Sequence, residues 1–165
     1  MGDLLLFARP PVPRRHNVRL EELVGLTASL MRQDPALRSV NVRIEGVAPP
    51  VHADAELLKI VFQNLLVNGA HALQGRGEIL VALQTAAAMS ARVTFHDDGP
   101  GIPLDIREKI FTPFFTTKAR GTGLGLATAR RLIEAHDGRI SIECPAGGGT
   151  TVLVELPAGL VGGAA

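Results

Sequence analysis

Apolar residues recur along this chain in two rhythms, one of about 3.6 residues and one of two, and the switches between them mark out its elements. From Leu20 to Met31, the residues Leu20, Leu23, Val24, Thr27, Leu30 and Met31 share one face and predict a helix. The stretch VNVRIEG that follows alternates as a strand does. Asp54 stands where an N-cap belongs, ahead of a long helix through Leu73. Leu57, Leu58, Val61, Phe62, Leu65 and Leu66 form its apolar stripe, and Gly75 and Gly77 close it. Strand-like runs follow at Glu78 to Gln84 and Arg92 to Asp97, then at Arg139 to Glu143 and Thr151 to Leu156. Between these pairs, Leu126, Ala129, Leu132 and Ile133 give a third helical stripe, and Gly138 stands where a left-handed residue commonly ends a helix. Helices interleaved with strands imply an α/β fold, a two-layer sandwich with helices on one face of a sheet. There is no internal repeat.

The ends read differently. MGDLLLFARPPVPRRHN runs from a short apolar cluster into three prolines, the pattern of a helix end followed by a stiff linker, and suggests a cut from a longer protein. Pro157 onward, ending GLVGGAA, reads as a loose tail. The 165 residues, 46% of them hydrophobic, suit one domain with a real core. Seventeen Lys and Arg against sixteen Asp and Glu give no global field that would draw nucleic acid or a membrane surface, so any anion site is local. A single cysteine, Cys144, excludes an internal disulfide and fits a reducing compartment. No apolar run nears 18 residues and no signal-peptide pattern is present.

Three constellations carry chemistry. The segment FTTKARGTGLGLATARRLIEAHDG sets a cationic, glycine-punctuated stretch directly before a helix, with Lys118 and Arg120 adding charge. The N–H groups and positive dipole end of such a terminus suit an anion, although a plain glycine hinge has the same composition. In the long helix Asn64, Asn68 and His71 fall within an arc of about 60° beside the apolar stripe, a polar seam that points into a cleft. Asparagine oxygens are neutral hard ligands suited to Mg²⁺ where phosphates supply the charge; two asparagines one turn apart also suit a solvated face. In ARVTFHDDGPGIP the strand parity puts Asp97 on the inward side with Val93 and Phe95, and Asp98 outside. A buried carboxylate demands a hydrogen-bond donor, which a ligand amino group such as that of adenine would supply. Gly99 and Gly101 around Pro100 let a flat ligand near the backbone, or simply make an Asp-Gly turn. The cluster Gly147 to Gly149 reads as a hairpin turn. A dinucleotide fingerprint fails because Leu126 takes its third glycine position, and a Walker loop fails for want of a Gly-Lys pair.

Taken in order, NLLVNGAHAL, DDGPGIP, IFTPFFTTK and GTGLGLATARRLIEAHDG resemble the four ATP-site motifs of the histidine kinase catalytic domain, within the superfamily shared with gyrase, heat-shock chaperone and mismatch-repair ATPases. The resemblance covers about Leu20 to Leu156. It implies a mixed sheet backed by three main helices, with ATP under a mobile lid. It divides the chain into 1–18, the end of a dimerisation helix and linker; 19–157, the ATP-binding domain; and 158–165, the tail. By the same resemblance Asn68 is the Mg²⁺ ligand, and Asn64, Asn68 and Lys118 form the catalytic set. Asp97 reads the adenine amine, and Gly99, Gly101 and Ile102 shape the base pocket. Phe111, Phe114 and Thr117 belong to the lid, and Gly121, Thr122, Gly123, Leu124, Gly125 and Leu126 to the phosphate loop; His71 and Thr150 complete the nucleotide contacts. Two departures stand out. His71 replaces the lysine, arginine or glutamine of many relatives, and Asp137 replaces a glycine in the usual HGG.

The chaperone and gyrase branches carry a glutamate at the position of Asn64, where it activates water, and an asparagine amide cannot act as that base. The resemblance therefore implies phosphoryl transfer to a protein histidine rather than hydrolysis. None of His16, His52, His71, His96 or His136 has the acceptor's sequence setting. The expected partners are the dimerisation domain that carries the acceptor histidine and the receiver domain of a response regulator, in the cytoplasm. The rival expectation is a nucleotide-binding regulatory module that acts by contact.

Overall fold

The computed structural model describes residues 8–113 and 125–159. Three helices, α1 (Leu20–Met31), α2 (Ala55–Ala72) and α3 (Gly125–Ala135), pack on a five-stranded sheet of β2 (Ser39–Gly46), β4 (Arg76–Thr85), β5 (Ala91–Asp97), β6 (Arg139–Glu143) and β7 (Thr150–Leu156). The strand order is β2-β4-β5-β7-β6. Only β2 runs parallel to its neighbour, so the sheet is mixed as expected. Three-residue strands β1 (His16–Val18) and β3 (Val51–Ala53) pair antiparallel as a second, small sheet.

The central helix α2 organises the core. Its stripe Leu57, Leu58, Val61, Phe62, Leu65 and Leu66 is buried as the periodicity predicts, and Phe62 meets Phe95 of β5 with ring centroids 5.6 Å apart. In β5 the residues Ala91, Val93, Phe95 and Asp97 are all buried while those between are half-exposed, so strand parity carries Asp97 onto the core side. Full burial of each large apolar side chain contributes about 1.5–3 kcal/mol, which is what holds α2 against β5.

The structure corrects several details of the sequence reading. The first left-handed residue after α2 is Gln74, at φ 56°, ahead of Gly75, and its N–H donates to His71 O at 3.0 Å while Gly75 N–H donates to Ala70 O at 2.8 Å. Leu30 is half-exposed and Ala28 takes its place on the buried face of α1; the face turns further than a six-residue apolar set suggested. On α3 the buried face is Ala127, Thr128, Ala129, Leu132 and Ile133, with Leu126 packed at its margin. The left-handed residue that ends α3 is Asp137, at φ 61°, not Gly138. Asp137 N–H donates to Glu134 O and Gly138 N–H to Ile133 O, both at 3.0 Å, the paired bonds of a Schellman end. Gly138 is instead a matter of space, since a Cβ there would lie 2.5 Å from Glu155 O and 2.8 Å from Leu156 Cδ2. Finally, the chain stays on the domain after Pro157: Ala158 bridges Val51, and Gly159 N–H donates to Pro50 O at 2.7 Å.

Candidate functional site

The site lies where β5 ends beside the C-terminal half of α2. Asp97, 6% exposed, is the last residue of β5 and pairs directly with Thr150 of β7, itself buried. Gly99 N–H donates to Asp97 Oδ1 at 2.9 Å, which fixes the carboxylate's orientation. Only glycine fits at 99, because a Cβ would lie 2.8 Å from that oxygen and 2.9 Å from Ala72 O. From the helix side, the Cα of Gly69 comes so near that a Cβ on it would be 3.9 Å from Asp97 Cβ. Asn68 precedes Gly69 and is half-buried; Asp98 points outward, its side chain 82% exposed.

Asn64, one turn earlier, reaches the third helix. Its amide donates to Gly125 O at 3.2 Å, so α2 holds the first residue of α3, the end of the glycine loop. His71 lies on the exposed side of α2. Gly101 takes a left-handed φ of 78° in the turn after Gly99, and Ile102 O accepts from Arg107 Nε at 2.8 Å, pinning the chain as it leaves the site. Phe111 packs at the edge of the core beneath Arg130 of α3, whose guanidinium carbon is 5.8 Å from the ring centroid. Phe114, Thr117, Lys118, Gly121, Thr122, Gly123 and Leu124 lie outside the described residues.

One supporting residue escaped the sequence reading. Gly149, at φ 83°, sets its backbone against the carbonyl of Asp97, where a Cβ would collide. The signal was present in a run of three glycines ahead of a strand, one more than a turn needs. On the opposite sheet face His96 bridges Thr151 Oγ1 at 2.7 Å and Asp98 Oδ1 at 3.1 Å, which ties the backbone on both sides of Asp97 to β7.

A buried carboxylate, a backbone pared down by glycines around it, and an amide pair one turn apart together suit a purine nucleotide with its phosphates toward α3. Among the described residues no three His, Cys, Asp or Glu side chains converge as a metal cluster. The profile of the histidine kinase-, DNA gyrase B- and HSP90-like ATPase family matches residues 53–160. The chain belongs to this ATPase family. Within it, the chain is 38% identical to the signal transduction histidine-protein kinase AtoS of Escherichia coli K12 over 94% of its length, covering 26% of AtoS. It is 35% identical to the sensor histidine kinase ZraS of Klebsiella oxytoca, covering 95% of this chain and 34% of ZraS. It therefore spans about a quarter to a third of these relatives. The nucleotide-free catalytic domain of the histidine kinase ThkA superposes with a TM-score of 0.77 at 31% identity, over 88% of this chain and 97% of that one. Full-length ShkA in complex with AMPPNP superposes at 0.79 with 25% identity, over 99% of this chain and 36% of that one.

Proposed function

We propose that this chain is the ATP-binding catalytic domain of a sensor histidine kinase, transferring the γ-phosphoryl group of ATP to a histidine on a dimerisation domain for onward passage to a response regulator. The observation that carries the reading is Asp97, a carboxylate buried at a strand end with a glycine-lined wall and the seam of α2 beside it. The AMPPNP of the ShkA complex supports a nucleotide in this cleft, and the names of AtoS and ZraS support the kinase.

The work of the chain's own residues follows from their chemistry. Asp97 accepts a hydrogen bond from the adenine amine, and Gly99 and Gly101 admit the ring. Asn68, with Asn64 one turn away, would hold Mg²⁺, which would offset the phosphate charge. Asn64 ties the loop end at Gly125 to α2 and so keeps the phosphate end of the pocket in register. Its amide is engaged with backbone and has no basic lone pair for water, which favours transfer over hydrolysis. Lys118 and the loop Gly121 to Gly125 would meet the phosphates, with Phe111 and Phe114 in the lid. Among the described residues no helix is long and apolar enough to cross a membrane, and a cytoplasmic place beside the ATP pool suits the reading.

Incubation with γ-labelled ATP tests the proposal. Acid-labile label should be absent from this chain alone, whose histidines lack the acceptor's setting, and should appear on an added dimerisation domain slowly and in proportion to its concentration, since two separate domains lack the positioning that makes in-line transfer fast. No label on the added domain despite measurable ATP binding would overturn the kinase reading. Acid-labile label on this chain would overturn the claim that its five histidines lack an acceptor.

A further inference from the structure

At the end of α2 away from the nucleotide, a cluster of polar groups joins three parts of the chain. Asp54 caps α2, its Oδ1 accepting from Glu56 N–H at 3.0 Å and Leu57 N–H at 3.2 Å. Its Oδ2 accepts from Arg14 N–H at 2.9 Å, in the segment just before β1. Its own N–H donates to His136 Nε2 at 3.0 Å. Because a backbone N–H can only donate, Nε2 must be the bare nitrogen, and Nδ1 carries the proton it gives to Leu132 O at 2.7 Å. His136 is thus a neutral side chain, 2% exposed, spanning the start of α2 and the last turn of α3. Arg15 completes the cluster by donating to Ala135 O at 3.0 Å and Asp137 Oδ2 at 3.2 Å, a cation on the negative end of α3.

The same two helices meet again at Asn64 and Gly125, about 15 Å further along α2 at ~1.5 Å per residue. They therefore run antiparallel, tied once at the nucleotide end and once at the His136 end. We propose that Asp54, His136 and Arg15 form a latch that couples the segment before β1 to the nucleotide site, by fixing α2 against α3 so that Asn64 holds the loop end at Gly125. These are positioning residues; none touches the proposed nucleotide. The inference rests on reading the Asn64 end as the nucleotide site.

The latch has a built-in release. Protonated His136 would turn Nε2 from acceptor into donor, facing the Asp54 N–H with a second hydrogen. The charged groups around it are Asp54 at the start of α2, Arg15 before β1 and Asp137 after α3. Burial opposes its charging most, and Arg15 adds to that; together they outweigh the hydrogen bond to Leu132 O and the attraction of the two carboxylates, and hold its pKa below the ordinary value. The latch is therefore closed at neutral pH and opens as pH falls below about 6.5 toward that lowered pKa.

The test uses the full chain, its His136→Gln variant, which presents an amide oxygen near the place of Nε2 but cannot titrate, and its His136→Asn variant, which cannot reach Asp54. Hydrogen-exchange protection would be followed at Arg14, at Asp54 and at residues 129–132, whose N–H groups face the carbonyls of the first turn of α3, with affinity for Mg-ATP measured between pH 8 and pH 5.5. In the wild type, protection at all three places should fall together with pH, and ATP affinity should drop about fivefold more than in His136→Gln, a coupling at the low end of the usual range. His136→Asn should show the low-pH protection pattern at neutral pH. If His136→Asn fails to fold, the contrast between wild type and His136→Gln decides alone. Protection at 129–132 that ignores opening at Asp54, or equal pH dependence in wild type and His136→Gln, would overturn the latch. Absence of ATP binding by every form, with coupled opening intact, would instead count against the nucleotide reading.

Discussion

The two ends of α2 use polar residues in opposite ways. At the Asp54 end the carboxylate, a backbone N–H, an imidazole and a guanidinium are matched to one another and to helix termini, all within the chain. At the other end Asp97 and the Asn64–Asn68 seam stand among backbone kept bare by Gly99 and Gly149. At the Asp54 end these groups close on one another and on helix termini, whereas Asp97 accepts from Gly99 N–H and Asn64 donates to Gly125 O beside a backbone kept bare by glycine. Under the proposed function a half-exposed carboxylate, Asp54, serves architecture at one end of the helix and a buried one, Asp97, serves recognition at the other. What distinguishes them is the company of glycines as well as the depth.

Substitutions can break that contrast from either side. The largest effect expected is on the fold: Gly138→Ala, near the closed end, puts a Cβ against Glu155 O that cannot yield, and should lower unfolding free energy by about 2–3 kcal/mol, read from the denaturant midpoint. Asp54→Ala removes the cap of α2 and its tie to Arg14, and should cost about 1.5 kcal/mol by the same measurement. At the open end Asn64→Ala should leave that midpoint nearly in place while slowing phosphoryl transfer in trans about fivefold, ~1 kcal/mol of barrier, because Gly125 loses its tether. Equal losses of stability and transfer would mean that Asn64 serves the fold alone.

A smaller effect, of the opposite sign, is expected at the β4–β5 turn, where Ala88 (φ 58°) and Met89 (φ 61°) both hold left-handed backbone. Met89→Gly should raise stability by about 0.5–1 kcal/mol, since glycine adopts that conformation freely. Smallest of all is a pH effect on the closed end. With the pKa of His136 lowered in the folded state, the unfolded chain binds the extra proton first, so stability should be full above about 6.5 and decline as pH falls toward the lowered value. His136→Gln should flatten that decline in a series of thermal melts.

Much of this was legible in the residues. The stripe of α2, its cap at Asp54 and the inward parity of Asp97 follow from periods of 3.6 and two, because each depends on neighbours in sequence. The seam of Asn64, Asn68 and His71 was legible for the same reason, although periodicity could not show that Asn64 grips Gly125 across to another helix. β1 and β3 were invisible because three residues cannot display an alternation. Asp137 and Gln74, both left-handed, were passed over in favour of the glycines that follow them, since propensity points to glycine; at 138 the glycine is kept by the space beside Glu155 O instead. His136 gave no sign of its role: its partners Asp54 and Arg15 are distant in sequence and meet it only through the fold.

In the proposed function Asp97 reads the adenine of the nucleotide, and the decisive experiment is calorimetric titration of Mg-ATP into the wild type and Asp97→Asn. Hydrogen bonds to a charged group contribute about 1.5–3 kcal/mol, so the variant should bind about ten- to a hundredfold more weakly, with its thermal melt and circular dichroism unchanged. Wild-type affinity in a folded Asp97→Asn protein would remove Asp97 from the binding site and contradict the account.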